Sequence, residues 1–388
     1  MTGLDYNHAH YHFLRMSEMG KVFWAHTFGF IASGLVTIFI PIYLYQLGYP
    51  LDQVFLYLTA QFFYAFLLQY HCAKVVAKLG GNKSMVLGIF FHIVFFLALL
   101  TLPSAHWPLL LLPVPWAFTR SLYWVAFHAN FSKSRSHAKA GSQVGIVQAI
   151  AVFAHGATPA IGGVLASEIG IAWVYGVSIG LFAVAAVPLL FGAEVTKHRP
   201  LKMRLLNWRK IRPDLVATFA YGVSNAIEMT IWPLLVFFVV SSYAGVGLLS
   251  SVVTLAAILV SIYVGRHEAA RGERHYLKEG VTLTGATHLL RLAGQTGGGI
   301  FGINLLSGIG HSLTSTPFLS RYYELADEEP RLEYITAWEA AHDLGWVLIF
   351  GTIWLLLIAL PTSVPDSAIM LAGVVMAVPT TLAIRKLR

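Results

Sequence analysis

The stretch Ala193–Asp214, AEVTKHRPLKMRLLNWRKIRPD, is the one long polar interruption in a chain of successive apolar segments. It carries seven of the 26 Lys and Arg residues and lies near the middle of 388 residues. Working outward from it, both flanks are strongly apolar. Hydrophobic residues make up 57% of the chain and charged residues 11%, with a mean hydropathy of +0.67. A soluble domain carries about 25% charged residues, so this chain reads as one solvated by lipid. A spanning helix needs roughly 20 apolar residues, which leaves room for about twelve spans and none for a soluble catalytic domain.

Hydropathy marks twelve segments. Before the linker they are Val22–Leu47, Leu51–Cys72, Ser84–Leu102, Trp107–Phe131, Gly141–Ser167 and Ile169–Gly192; after it, Leu215–Ser241, Gly245–Val264, Leu277–Gln295, Gly299–Arg321, Ile335–Leu360 and Ser367–Ile384. The expected fold is therefore an all-α membrane protein of twelve transmembrane helices. They form two pseudo-symmetric six-helix bundles, 1–192 and 215–388, joined by a linker over 193–214. The ninth and tenth segments are separated only by the turn signal Gln295-Thr296-Gly297-Gly298-Gly299.

Charge placement sets the orientation. With both termini cytoplasmic, 24 of the 26 Lys and Arg residues fall on the cytoplasmic side and the outer loops hold none. The two others, Arg120 and Arg291, fall inside expected spans. This asymmetry follows the positive-inside rule, so the net charge of +8 needs no nucleic-acid partner. The N-terminus lacks the basic-then-apolar layout of a signal peptide, and the expected location is a plasma or inner membrane. One cysteine, Cys72, excludes an intramolecular disulfide framework. Within the linker Leu201, Leu205 and Trp208 fall at i, i+4 and i+7, the layout of a helix lying on the membrane surface.

The loop after the second segment reads Ala73-x-x-x-Ala77-Lys78-Leu79-Gly80-Gly81-Asn82-Lys83; that after the eighth reads Gly265-x-x-x-Ala269-x-x-Gly272-Glu273-Arg274. Each has a small residue, a glycine seven positions later, and then a basic residue. Parallel repeats of this kind occur in secondary transporters with a site near the midplane. Here the chain resembles the major facilitator superfamily over essentially its whole length. Lys78, Gly80, Gly265, Gly272 and Arg274 match the family's loop signature Gly-x-x-x-Asp-Arg-x-Gly-Arg-Arg/Lys, and Lys83 falls one residue late. Ala77 and Ala269 replace its acid. In the family that acid helps latch the cytoplasmic side, so the resemblance implies another latch here. The fifth segment, His155-Gly-Ala-Thr-Pro159-Ala-Ile-Gly162-Gly163, resembles the Gly-Pro-x-x-Gly-Gly motif of drug/proton antiporters, with Thr158 in place of the first glycine. Small residues beside a proline also serve close helix packing alone.

Ionisable residues inside a bilayer are costly and serve as functional hypotheses. Arg120 corresponds to the arginine of the family's fourth-helix motif, whose glutamine and glycines are replaced within Tyr123-Trp124-Val125-Ala126. Tyr221, Asn225 and Glu228 share one face of the seventh segment at i, i+4 and i+7, with Trp232 and Pro233 beyond. The resemblance implies that Arg120 and Glu228 face one cavity from opposite halves, with Glu228 as the proton-exchanging group. Asn304, Ser307, His311 and Thr314 form a polar stripe on the tenth segment, and His26, Ser33 and Thr37 one on the first. The plain alternative for each is a bond back to its own helix or to a neighbouring helix. Glu339 and Asp343 stand one turn apart on the eleventh segment, beside His342, as a gate pair or coupling site. Arg291 lies near the outer end of the ninth and is expected to snorkel outward.

His8, His10 and His12 alternate, which invites a metal reading, but with no second ligand cluster beside them they read as a frayed terminus. No metal or cofactor is expected, no phosphate loop is present, and no catalytic grouping emerges. The expected function is secondary transport of a small amphipathic solute by a monomer, by alternating access, with a proton as co- or counter-ion. The alternatives are an uncoupled facilitator, a lipid translocator, or a transport-inactive scaffold or sensor.

Overall fold

The computed structural model describes residues 18–134, 156–194, 199–271, 273–294 and 296–386, and every regular element among them is helical. Before the linker run α1 (Glu18–Gly34), a 3-10 turn (Thr37–Phe39), α2 (Ile40–Gln46), α3 (Leu51–Leu79), α4 (Gly81–Ala105), α5 (Pro113–Ser134), α6 (residues 156–168) and α7 (Ile171–Leu190). After it run α8 (Trp208–Ala226), a π turn (Ile227–Ile231), α9 (Trp232–Val240), α10 (Tyr243–Arg271), α11 (Glu273–Leu290), α12 (Gly297–Glu328), α13 (Arg331–Ala359), α14 (Asp366–Met376) and α15 (Val378–Ala383).

Prolines and glycines set the boundaries. Pro50, Pro330 and Pro365 precede α3, α13 and α14, and Pro113 opens α5; a helix start has no use for the N–H that proline lacks. Gly80 separates α3 from α4 at φ +92°, a conformation that disfavours any side chain. Ahead of Pro233 the helix takes a π turn, because proline cannot donate to the carbonyl four residues back and the ladder widens by one residue.

Eight stretches are long and apolar enough to cross a membrane: α1 with α2, α3, α4, α7, α8 with α9, the first part of α10, α13, and α14 with α15. The other four expected segments do not meet that standard among the described residues. Three of them are nonetheless helical, as α5, α11 and α12. Their polar residues turn inward: Arg120, Thr287, His288, Asn304 and Ser307 are all buried. Hydropathy under-reads helices of this kind. The fifth expected segment is described only over residues 156–168.

The outer surface is apolar, and ionisable side chains lie inside a core that is mostly apolar. Leu259, Trp173 and Leu190 are 71%, 68% and 64% exposed, whereas Arg291, Glu333, Glu339 and Asp343 are buried. A lipid-facing exterior requires this arrangement. α13 packs against α3 and α8 and touches α5, so it joins elements from before and after the linker. A second seam joins α6 to α10: the Ala160 N–H donates to Ser251 Oγ at 3.2 Å, and Gly247 abuts the Pro159 carbonyl. Gly162 lies against the Leu35 backbone and Gly163 against that of Tyr243, leaving no space for a Cβ at either. The run around Pro159 thus brings three helices to backbone contact.

The surface helix expected over Leu201–Trp208 does not form. Met203–Leu205 is a single 3-10 turn, and α8 begins at Trp208 behind the Asn207 cap. Pro200 disfavours helical backbone at Arg199. Buried Glu333 then holds the linker by accepting from the Arg199 guanidinium at 2.6 Å and the Lys202 N–H at 3.0 Å. These two bonds fix the backbone ahead of the 3-10 turn to α13.

Candidate functional site

Two buried ionic clusters lie on either side of α8. In the first, α13 presents Glu339, His342 and Asp343 within one turn of each other. Arg120 of α5 reaches all three: Nη2 lies 2.7 Å from Glu339 Oε2 and 3.1 Å from His342 Nδ1, and Nε donates to Asp343 Oδ1 at 3.1 Å. His128, two turns along α5, sits 3.4 Å from Glu339 Oε1 by Nε2 and 2.7 Å from the Tyr323 hydroxyl by Nδ1. The Trp124 ring faces the guanidinium with its centroid 5.6 Å away.

Hydrogen-bond chemistry fixes the His342 tautomer. Arginine can only donate, so Nδ1 accepts and Nε2 carries the proton. The Asn225 Nδ2 stands 3.1 Å from Nε2 and its Oδ1 is buried without a partner among the described residues, so exchanging the two amide atoms lets Nε2–H donate to Oδ1. The same logic holds in the second cluster. Arg291 of the 3-10 turn after α11 donates from Nη1 to His288 Nδ1 at 2.6 Å, and His288 Nε2 lies 3.3 Å from Ser224 Oγ, to which its proton is donated. Arg291 Nη2 donates to Glu228 Oε2 at 2.6 Å, and Ser307 Oγ donates to the same oxygen at 2.5 Å. Trp232 shields the guanidinium at 5.1 Å and donates its indole N–H to Asn304 Oδ1 at 2.6 Å. Ser224 and Asn225 are adjacent in sequence and point about 100° apart around the helix. α8 therefore ends one relay on each side.

The clusters differ in charge. With neutral histidines, Arg291 balances Glu228, whereas Arg120 meets two carboxylates. Asp343 Oδ2 is buried with no hydrogen-bond partner among the described residues. Leaving a net negative charge in this low-dielectric region costs several kcal/mol, and one proton on the Glu339–Asp343 pair restores neutrality. The pair titrates as a unit.

A cleft of about 460 Å³, counting the part open to its surroundings, borders the first cluster. Arg120, Trp124 and His26 line it, with Trp116, Phe182 and His92 on other walls. The His26 ring stacks on Phe127 at 3.7 Å, with Nδ1 3.4 Å from the Tyr123 hydroxyl.

The structure thus gathers Arg120, Trp124, Asn225, Glu339 and Asp343 into one group and Glu228 and Asn304 into another. Arg120 and Glu228 do not meet, since each has its own counter-ion. Arg291 does not snorkel: it is 1% exposed and is the partner Glu228 needed. Tyr221 packs its ring 4.5 Å from Phe318, and His311 stands 6.4 Å from Tyr221. Ser33, Thr37 and Thr314 bond back to their own helices. At the α3–α4 corner the Asn82 and Lys83 N–H groups each donate to the Glu194 carboxylate at 3.0 Å, and Gly80 leaves room for that side chain. Glu194 thereby neutralises the positive end of α4. Arg274 is exposed, and Gly272 lies outside the described residues, as do His8, His10 and His12. Among the described residues no group of three or more His, Cys, Asp or Glu side chains is arranged to hold a metal ion.

Sequence reasoning did not find His288, Ser224, His128, Tyr323 or His92. The available signal was the arginines: a buried guanidinium demands a carboxylate, and four acids lie inside the expected spans after the linker or at their ends.

The family model described as Major Facilitator Superfamily matches residues 22–350. Among solved structures, a POT family transporter in complex with 5-aminolevulinic acid superposes with a TM-score of 0.74 at 12% identity, over 94% of each chain. A bacterial homologue of the iron transporter ferroportin, outward-facing with soaked iron, gives 0.67 at 12% identity, over 95% of this chain and 98% of that one. No curated protein matches the sequence.

Proposed function

This chain belongs to the major facilitator superfamily, and we propose that it is a proton-coupled secondary transporter of a small amphipathic organic solute. It is an integral multi-pass membrane protein. Twelve membrane helices form two bundles, residues 1–192 and 215–388. The basic linker and both termini lie on the cytoplasmic side, as the charge asymmetry of the loops demands. The bundles rock about two seams, α3 with α13 and α6 with α10. The glycine-proline run of α6 serves this packing, which supports a structural role for it over a signature of antiport.

One observation carries the reading: Arg120 is at once a wall of the cleft and the cation held by two carboxylates of α13. An anionic or carbonyl group on the solute competes with Glu339 and Asp343 for the guanidinium, and a carboxylate that loses its cation in a buried site takes up a proton. Solute and proton thus share one arginine. The charge count assigns coupling to the Glu339–Asp343 pair and leaves Glu228 as the counter-ion of Arg291. The test is uptake into proteoliposomes of a compound selected by thermal shift, with protein-free vesicles as the blank. Uptake that rises with an imposed pH gradient, and falls in Glu339→Gln/Asp343→Asn, supports the reading. Uptake that ignores proton and sodium gradients would make the protein an uncoupled facilitator.

A further inference from the structure

The cleft itself narrows the class of solute. Its walls are α1, α4, α5 and α7, all before the linker. Flat rings dominate them: Phe30, Trp116, Tyr123, Trp124 and Phe182. Phe30 meets Trp124 edge-on at 5.6 Å, and Phe182 lies 4.2 Å from the ring of His92. Aliphatic side chains, which suit a flexible chain, contribute only Ile89.

Three polar groups on these walls have unused hydrogen-bonding capacity among the described residues. Arg120 engages its neighbours through Nε and Nη2, and Nη1 makes no bond. His92 packs against the rings of Phe95, Phe96 and Phe182 and has no hydrogen-bond partner among the described residues. The Trp116 indole N–H is likewise unbonded, its ring packing on Phe62 at 4.9 Å. Ser33 and Thr119 also line the pocket but bond to backbone carbonyls, and His26 faces the Tyr123 hydroxyl, so the donors left open around a slot of aromatic faces call for a planar ligand with acceptors on its edge.

Resting on the transporter reading above, we propose that this cleft binds a planar aromatic carboxylate. Its ring lies among Trp116, Trp124 and Phe182, and its carboxylate on Arg120 Nη1, with His92 and the Trp116 N–H available to edge substituents. The charge count adds the direction of coupling. The Arg120 cluster is neutral with one proton on Glu339 or Asp343, so an incoming anion is accommodated by a second proton on that pair. The groups facing the pair are Arg120 and His128 of α5, His342 of α13, Tyr322 and Tyr323 of α12, and Asn225 of α8. Anion and proton enter the site together.

The experiment uses the full chain in nanodiscs and titrates 2-naphthoate, 2-naphthamide and decanoate by calorimetry in two buffers of different ionisation enthalpy. Naphthoate should bind about tenfold tighter than either analogue, since one lacks the charge and the other the ring, and about one proton should be taken up per anion. Trp116→Leu, a variant outside the ion pair, removes a ring contact and should weaken naphthoate by about three- to tenfold with melting temperature unchanged, whereas His92→Leu should leave naphthoate binding as it is and weaken a ring-hydroxylated naphthoate. Equal affinity for the amide or for decanoate, or no naphthoate binding at about 1 mM, would overturn the proposal. Decanoate binding and uptake without naphthoate binding would reject the aromatic class and leave the transporter reading standing. Naphthoate binding with no uptake of any solute would keep the site and reject transport.

Discussion

Replacing Arg120 by leucine removes the cation that holds α5 to α13. With one proton on the acid pair, one of the two Arg120 contacts is an ion pair, 2.7 Å to Glu339 or 3.1 Å to Asp343, worth about 6 or about 5 kcal/mol gross at an effective dielectric constant near 20. Desolvation of the guanidinium and of the ionised acid consumes most of that. What the variant leaves is a buried carboxylate pair with no guanidinium, and breaking a buried pair in this way costs about 3–5 kcal/mol. That is roughly two to nearly four powers of ten in the folding equilibrium. The loss should show in SDS unfolding of the purified protein in mixed micelles, read by fluorescence of the nearby Trp124, Trp338 and Trp346. The triple variant Arg120→Leu/Glu339→Gln/Asp343→Asn removes cation and anions together and should recover most of the stability, because the penalty belongs to the uncompensated charge. A single variant that loses less than about 1 kcal/mol, or a triple variant as unstable as the sum of its parts, would refute the reasoning.

The second cluster should behave alike: Glu228→Leu leaves Arg291 unpaired and should cost about 3–5 kcal/mol, and Glu228→Leu/Arg291→Leu should recover much of it in the same SDS titration. Gly162→Leu forces a side chain into the Leu35 backbone, so folded yield on size-exclusion chromatography should collapse, whereas Leu259→Ala on the exposed face of α10 should leave it unchanged. Glu333→Ala frees Arg199 and Lys202 from their shared anchor, and trypsin should then cut the linker several-fold faster than in the wild type.

Most of the helix layout was legible because its determinants are local. Apolar length, prolines before α3, α13 and α14, and the glycine at position 80 announce the elements from sequence. The linker helix misled for the opposite reason. Leu201, Leu205 and Trp208 have helical spacing, but the backbone there makes only a single 3-10 turn and is tied to Glu333 of α13, a tertiary contact that spacing does not show. The site was half legible. Arg120, Glu228, Glu339 and Asp343 stood out because a bilayer tolerates few such groups, yet which acid meets which arginine depends on α13 packing beside α5 and on Arg291 turning inward. Both are long-range facts. His92 and His288 were missed because a lone histidine among apolar residues has no periodic signature, and only the packed structure shows what surrounds it.

The measurement that tests the central claim most directly is uptake of labelled 2-naphthoate, or of whichever solute the thermal-shift screen selects, into proteoliposomes under an imposed pH gradient, corrected by protein-free vesicles. The expected result is gradient-driven accumulation in the wild type that is abolished in Glu339→Gln/Asp343→Asn when uptake is scaled to the folded protein in each preparation. Gradient-driven accumulation of equal size in that variant would contradict the assignment of the coupled proton to the carboxylates that Arg120 holds.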